Sequence, residues 1–376
     1  MANSVRYSAP SRRNRHAGFR RNRRALANVW AVVLLVVVVA AAVLAFVVYH
    51  YTASTSTSSN GSLTILDQEG RTVQVPANVQ RAVIIDSYWA ETACVLGDQN
   101  KIVGIGTYVP GSPYIPSAVQ KLTIVGDQFN GINMETLVSL KPDVVIMDTG
   151  FGSADQELST LEMLNIPVIA LNPASYADEM GAIKIIGEVL DSNTKAAQLI
   201  DYMQSGVKNL ILTASQIPDS SMPSVLIGSY NPEYYGTSFS ADSDSEWGTA
   251  VNLVGGVNTA FANIPTQQYP LIDAETVLGW NDSKVLITDY SNASVASDVA
   301  AFEQQYPTLA AVEDHQVYGV LVGGEQQGAY LDDGPRALLG LDELAAMIQP
   351  AYFSGINMES AADQLFSQFY PFAIGS

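Results

Sequence analysis

Two well-separated stretches of the chain repeat one pattern. Residues 132–148 read INMETLVSLKPDVVIMD, and residues 272–289 read IDAETVLGWNDSKVLITD. Each begins with an Asn or Asp suited to cap a helix and carries a Glu two positions later. An apolar stretch follows, then a polar break (Lys141-Pro142-Asp143 or Asn281-Asp282-Ser283-Lys284). A β-branched run then closes on Asp148 or Asp289. A capped helix feeding a strand, used twice, predicts two similar α/β units.

The rest of the chain supports that reading. LTILDQEGRTVQV, from Leu63, predicts a hairpin turning at Glu69-Gly70. Strands and helices then alternate: AVIID, AETACVL, KIVGIG, METLVSL, DVVIMD, QELSTLEMLN and PVIAL. From Ser192 the run NTKAAQLIDYMQSGVKNLILTAS places Ala196, Leu199, Ile200, Met203, Val207, Leu210 and Ile211 at helical spacing. A helix of that length spans ~34 Å, about a domain diameter. After QIPDSSMPS the alternation resumes with SVLIG, EWGTAVNLVGG, ETVLGW, KVLITD, VASDVAAFEQQYP and VYGVLV. Two helices, PRALLGLDELAAMIQP and SAADQLFSQFY, close the chain. The expected fold is α/β: two Rossmann-like lobes, each with a central, mostly parallel sheet, joined by one long α-helix.

The chain before Leu63 is of another kind. Eight of the 18 Lys and Arg fall at or before Arg24, and no Asp or Glu occurs before Asp67. Residues 29–49 are apolar between Trp30 and Tyr49, long enough for a membrane span. A signal-peptide core is shorter, so the expected arrangement is a basic cytoplasmic segment (1–28), a single-pass transmembrane anchor (29–49) and a Ser/Thr-rich linker (50–62). The expected divisions beyond it are an N-terminal lobe (63–191), the connecting helix (192–217) and a C-terminal lobe (218–376). The α/β part would lie outside the cell membrane. It holds the remaining ten basic residues against all 37 acidic ones. Such a surface repels nucleic acid and anionic lipid, so neither is expected as a partner. Cys94, the single cysteine, sits in an apolar helical pattern and is expected to be buried.

Read in order, DQEGRTVQVPANVQRAV, LGDQNKIVGI, VGDQFNGINMETLVSLKPDVVI, IPVIAL, the long helix, LVGGVN, IDAETVL and GPRALLGLDELAAMIQP have a familiar arrangement. The chain from Leu63 to Tyr370 resembles the substrate-binding proteins of ABC importers that capture ferric siderophores, cobalamin or haem. The resemblance implies binding without catalysis, a monomer, and delivery to a membrane permease dimer. It also implies that one surface Glu per lobe docks onto Arg pockets of that permease, which here selects Glu135 and Glu275. Their place in the first helical turn suits this role, because charge-assisted contacts set register. The bland alternative is that each Glu only steadies its helix start. A third near copy, GINMES at 355–360, has no strand after it and is expected to be only a capped helix start.

In a two-lobed binder the carboxyl ends of the strands face a shared cleft. The loops expected there carry Asp86, Tyr88, Trp89, Tyr108, Tyr114 and Phe151 in the first lobe. In the second they carry Tyr230, Tyr234, Tyr235 and Tyr330. These ten are the candidate ligand-binding residues, the aromatic ones for their large contact area at low entropic cost. No Lys, Arg or His occurs in these loops, whereas Asp86, Asp148, Glu233, Asp289, Glu325, Asp332 and Asp333 do. A highly anionic catecholate or citrate complex would want cations. The ligand expected is therefore a neutral or cationic ferric siderophore of the hydroxamate type, or a cobamide. Haem is an alternative through a Tyr axial ligand. Arg336 falls either at the cleft rim or on a helix surface.

No catalytic residue is expected, since the cleft loops lack His, Cys, GxSxG and GxxxxGK. No resident cofactor and no protein-held metal are expected either: no His or Cys pair has ligand spacing and no Asp run matches a calcium loop. A non-transport surface sensing or adhesion module on the same fold remains the competing reading.

Overall fold

The computed structural model describes residues 61–149, 152–323 and 327–374, all within one compact unit. The expected basic segment, membrane anchor and most of the linker lie outside these residues, as do Phe151 and Glu325. Among the described residues no helix is long and apolar enough to cross a membrane.

An antiparallel hairpin, β1 (Ser62–Leu66) and β2 (Thr72–Pro76), opens the first lobe. There follow β3 (Ala82–Ile84), α1 (Ser87–Val95), β4 (Ile102–Gly106), β5 (Thr123–Asp127) and β6 (Gly131–Ile132). Then come α2 (Met134–Ser139), β7 (Val144–Asp148), α3 (Ala154–Met163), β8 (Val168–Leu171) and α4 (Tyr176–Val189). The sheet order is β6-β5-β4-β3-β7-β8, parallel except for the β5–β6 edge. From β3 the chain moves outward to one side, then returns to the other at β7. The strand order therefore reverses between β3 and β7, and a crevice opens beyond their carboxyl ends.

The long helix α5 (Asn193–Ala214) packs on α4 of the first lobe and on two helices of the second. Its buried stripe comprises Ala196, Leu199, Ile200, Met203, Leu210 and Ala214. A Cβ at Gly206 would lie 2.4 Å from a Leu338 methyl, so a glycine lets α5 cross its neighbour closely. Ser192 stands at the N-cap position, but its side chain makes no capping bond.

The second lobe runs β9 (Ser224–Ser229), β10 (Phe239–Ala241), α6 (Glu246–Leu253), β11 (Val257–Asn258), β12 (Leu271–Ile272) and α7 (Ala274–Trp280). It continues with β13 (Lys284–Asp289), α8 (Asn292–Gln305), β14 (Val317–Leu321), α9 (Ala337–Ile348) and α10 (Met358–Phe369). The sheet order is β12-β10-β9-β13-β14, with β11 also beside β9. Strands β9, β11, β13 and β14 are parallel, and β10 and β12 form an antiparallel edge. The order again reverses between β9 and β13, so each lobe has one crevice of the same kind.

The pattern repeated in the sequence is repeated in space. In each lobe a two-residue edge strand (β6 or β12) leads into a capped helix. Asn133 accepts from Thr136 N at 2.9 Å, and Asp273 accepts from Thr276 N at 2.8 Å. Glu135 and Glu275 are both exposed in the first turn. The third copy is a capped helix start at α10, with Asn357 accepting from Ser360 N. Cys94 is buried on α1, and burial pushes its thiol pKa up.

Candidate functional site: exposed aromatic rings and buried carboxyl groups

Asp86 and Asp148 end up side by side because Asp86 lies just past β3 and Asp148 ends β7, the neighbouring strands between which the order of the first-lobe sheet reverses. Asp86 precedes α1 but does not cap it. Its carboxylate instead accepts from Gln128 Nε2 at 2.6 Å and from Asp148 N at 2.8 Å. Asp148 accepts from Tyr88 Oη and from Trp89 Nε1. Both carboxyls are buried. Burial raises the Asp86 pKa to about 6, opposed by its two hydrogen bonds. Burial, then the neighbouring Asp86, raises Asp148 well above the carboxylate range. All of these donors are neutral groups, so the pair is held by hydrogen bonds with no cation.

More carboxyl groups approach from the second lobe. Asp333 lies close enough to raise the pKa of Asp86, Asp148, Tyr88, Tyr269 and Tyr290 electrostatically. Asp242, buried at the end of β10, is raised to about 7 by burial, opposed by a hydrogen bond from Ser245. Exposed rings occupy the loops beyond the strands of both lobes. Tyr108 follows β4 and meets Phe129, which follows β5, edge to face at 6.3 Å. Tyr290 follows β13 and is 66% exposed. Tyr234 and the half-buried Tyr235 occupy a single helical turn, Pro232–Tyr235, capped by Asn231. Tyr234 is 82% exposed, its ring lying near that of Tyr235 and otherwise in water. Tyr269, before β12, is also exposed.

Several expected ligand contacts are placed differently. Trp89 is fully buried, with its ring edge-on to Tyr88 and its N–H spent on Asp148. Tyr114 is fully buried and its hydroxyl accepts from Gly328 N. Tyr230 belongs to the core of the second lobe, in ring contact with Phe239, Phe302 and Tyr306. Tyr330 lines a cavity with Asp363, Phe366 and Phe372 of the C-terminal segment. Trp89, Tyr114 and Tyr230 are thus buried in this structure, and Tyr330 is half-buried beside that cavity. A loop position does not decide which way an aromatic ring turns, and a ring with apolar neighbours within reach buries itself. Tyr88, Tyr108, Tyr234 and Tyr235 keep exposed or half-buried faces, and Asp86 is buried. Phe151 is outside the described residues.

Arg336 is neither at the rim nor on a helix surface. It is 0% exposed and pairs with Glu91 of α1 at 2.9 Å and with Asp332. Its guanidinium also donates to Ala329 O and lies 4.0 Å from the Tyr114 ring centroid. Tyr370 donates to Glu91 from the C-terminal tail. Burial alone would lower the Arg336 pKa, but Glu91 and Asp332 hold it charged. The group is fully committed, leaving nothing for an anionic ligand.

Glu179 and Glu246, like Glu91 and Asp242, are buried carboxyls that the sequence did not mark. Glu179 lies on α4, a helix not assigned from the sequence although Ser175 caps it. Glu246 opens α6. Both look like surface acids in helices, yet both are buried.

Residues 83–320 match the periplasmic binding protein family, and the chain belongs to that family. A Bacillus subtilis protein described as an uncharacterized ABC transporter substrate-binding lipoprotein is 26% identical over 87% of this chain and 98% of its own length. The molybdate-binding protein MolA of Haemophilus influenzae is also 26% identical, over 84% and 93%. MolA bound to molybdate is similar in structure as well, with a TM-score of 0.67 at 22% identity, covering 82% of this chain and 98% of MolA. Helicobacter pylori CeuE with nickel bound has a TM-score of 0.67 at 17% identity, over 82% and 96%. The chain is accordingly a solute-binding protein and not an enzyme.

Proposed function

We propose that this protein is the extracytoplasmic receptor of an ABC importer and that its cargo is a neutral or cationic metal chelate. A ferric hydroxamate or a cobamide fits best. The observation that carries the reading is the chemistry at the strand ends: exposed tyrosines in the loops, buried carboxyl groups held by neutral donors, and Arg336 spent on Glu91 and Asp332. Aromatic faces grip a large planar or greasy chelate and attract cationic character. Carboxyl groups can offer an anion at most a hydrogen bond, never a compensating charge. Molybdate, the ligand in the MolA structure, is for that reason a poor candidate here.

In this reading Glu135 and Glu275 dock the loaded receptor onto the permease. They are exposed at matching places on the two lobes, which suits a two-fold partner. The apolar segment 29–49 tethers the monomeric receptor to the membrane. An intrinsic-fluorescence and calorimetric titration with a ferric hydroxamate, a cobamide, haem, a ferric catecholate and molybdate tests the ligand class. Saturable binding of one of the first two, with the ligand recovered unchanged, is the expected result. Binding of molybdate or the catecholate alone overturns it.

A further inference from the structure

Glu179, Glu246 and Asp333 come from three distant parts of the sequence and meet. One carboxylate oxygen from each lies within 4.8 Å of the others. Glu179 projects from α4 of the first lobe, Glu246 from the first turn of α6 in the second. Asp333 precedes the turn Gly334–Arg336, which packs against α1 and α4. Glu179 and Glu246 are buried and Asp333 half-buried.

One buried oxygen of the cluster is left without a donor among the described residues. Glu179 Oε2 accepts from Gly334 N at 2.7 Å, a contact made possible by the left-handed backbone of Gly334 (φ 78°). Glu179 Oε1 is buried and has no hydrogen-bond donor among the described residues. No positive group offsets the cluster from the neighbouring turn, because Arg336 is occupied by Glu91 and Asp332. Burial and the adjoining carboxylates hold the pKa of Glu179 and of Glu246 well above the usual range. Three converging acids, one with a buried oxygen that no described donor reaches, need either shared protons or a positive partner.

The donor set selects the partner. All three ligands are hard carboxylate oxygens, with no His or Cys, which suits Ca²⁺, Mg²⁺ or Mn²⁺ and disfavours softer ions. Oxygens bound to one Ca²⁺ at ~2.4 Å lie at most ~4.8 Å apart, and Ca²⁺ tolerates irregular shells completed by water. We infer that Glu179, Glu246 and Asp333 form a site for a hard divalent cation, Ca²⁺ foremost, that ties α4 of the first lobe to α6 of the second at the floor of the cleft. Because its ligands come from both lobes, the ion sets their separation. The site is independent of the cargo's identity and is tested without cargo.

The experiment is calorimetric titration of the chelator-treated full-length protein with CaCl₂ and MgCl₂, beside terbium luminescence sensitised by the adjacent Trp247. Thermal melting with and without Ca²⁺ accompanies both. Variants Glu246→Gln and Asp333→Asn keep shape while removing charge; the second alters a half-exposed residue, so its fold is not at risk. One saturable Ca²⁺ site, a higher melting temperature with Ca²⁺ and at least ~10-fold weaker binding in each variant are expected. No Ca²⁺ or Mg²⁺ binding, or equal binding in wild type and both variants, overturns the site. So does a Glu246→Gln protein that melts higher at pH 7 with no response to cations, since shared protons then hold the cluster. Chelate titrations are run separately, so loss of the cation site and failure of the receptor reading are distinguishable.

Discussion

Arg336 and Glu91 form an ion pair inside the protein, 2.9 Å apart and shielded from solvent, joining the second lobe to α1 of the first. The pair is the centre of a cluster that also holds Asp332, the Tyr114 ring and Tyr370. Burying two charges is costly, and the cost is offset here because most of their hydrogen-bonding capacity is used. Arg336→Met leaves Glu91 buried without its cation and is expected to destabilise the fold by about 3–5 kcal/mol. Chemical denaturation measures it. Adding Glu91→Gln to Arg336→Met should recover part of the loss, and no recovery would show that the arginine acts by packing alone.

Stability should depend on pH in an unusual direction. Asp242 has a folded-state pKa of about 7 and Asp86 of about 6, both raised by burial from ~3.9 in the unfolded chain. Between ~4 and ~7 the folded protein therefore binds more protons than the unfolded one. Stability falls as pH rises through that window and levels off above it. The melting temperature is expected to rise on going from pH 8 to pH 5. Asp242→Asn should raise it most at pH 8, less at pH 5 and little at pH 4. A profile flat over that range would contradict the burial of these acids.

The two surface glutamates are expected to act on transport alone. Replacing Glu135 and Glu275 together by Ala should abolish uptake in cells while leaving ligand affinity and melting within error, since both are exposed at helix starts. Uptake that survives the double change would reduce them to helix-start acids worth a few tenths of a kcal/mol each.

The exposed tyrosines should behave in the opposite way. Tyr290→Ala and Tyr234→Ala remove rings that stand largely in water. Each is expected to weaken chelate binding about 10-fold or more, with no loss of stability. Trp89→Phe should do the reverse. It takes a buried N–H from Asp148 and costs about 1–3 kcal/mol of stability. Equal effects on affinity from all three would mean that Trp89 reaches the ligand in another conformation.

The backbone plan could be read from the chain because strand and helix periods differ and because the capped helix recurs. Asn133, Asp273 and Asn357 cap where the sequence indicated. The buried stripe of α5 follows the apolar spacing, with Val207 and Ile211 half-buried at its margin. Side-chain direction at strand ends could not be read in the same way. Tyr230 and Tyr234 belong to one loop, one helical turn apart, yet one joins the core and the other faces water. The difference lies in Phe302 and Tyr306, which arrive much later in the chain to receive the first ring. Glu179, Glu246 and Asp333 share no local spacing, so no motif could announce them. Arg336 sits in a short Asp-Asp-Gly-Pro-Arg stretch that looks like an exposed turn. Its burial depends on Glu91, 245 residues away in sequence.

The central claim is that the cleft discriminates by charge. The most direct measurement is calorimetry on the full-length protein with chelates of similar size and different charge: a neutral ferric hydroxamate, its cationic amine-bearing analogue and an anionic ferric catecholate. The neutral and cationic forms are expected to bind at least ~100-fold more tightly than the anionic one, a gap of about 2.7 kcal/mol. Equal affinities, or tighter binding of the anion, would contradict it.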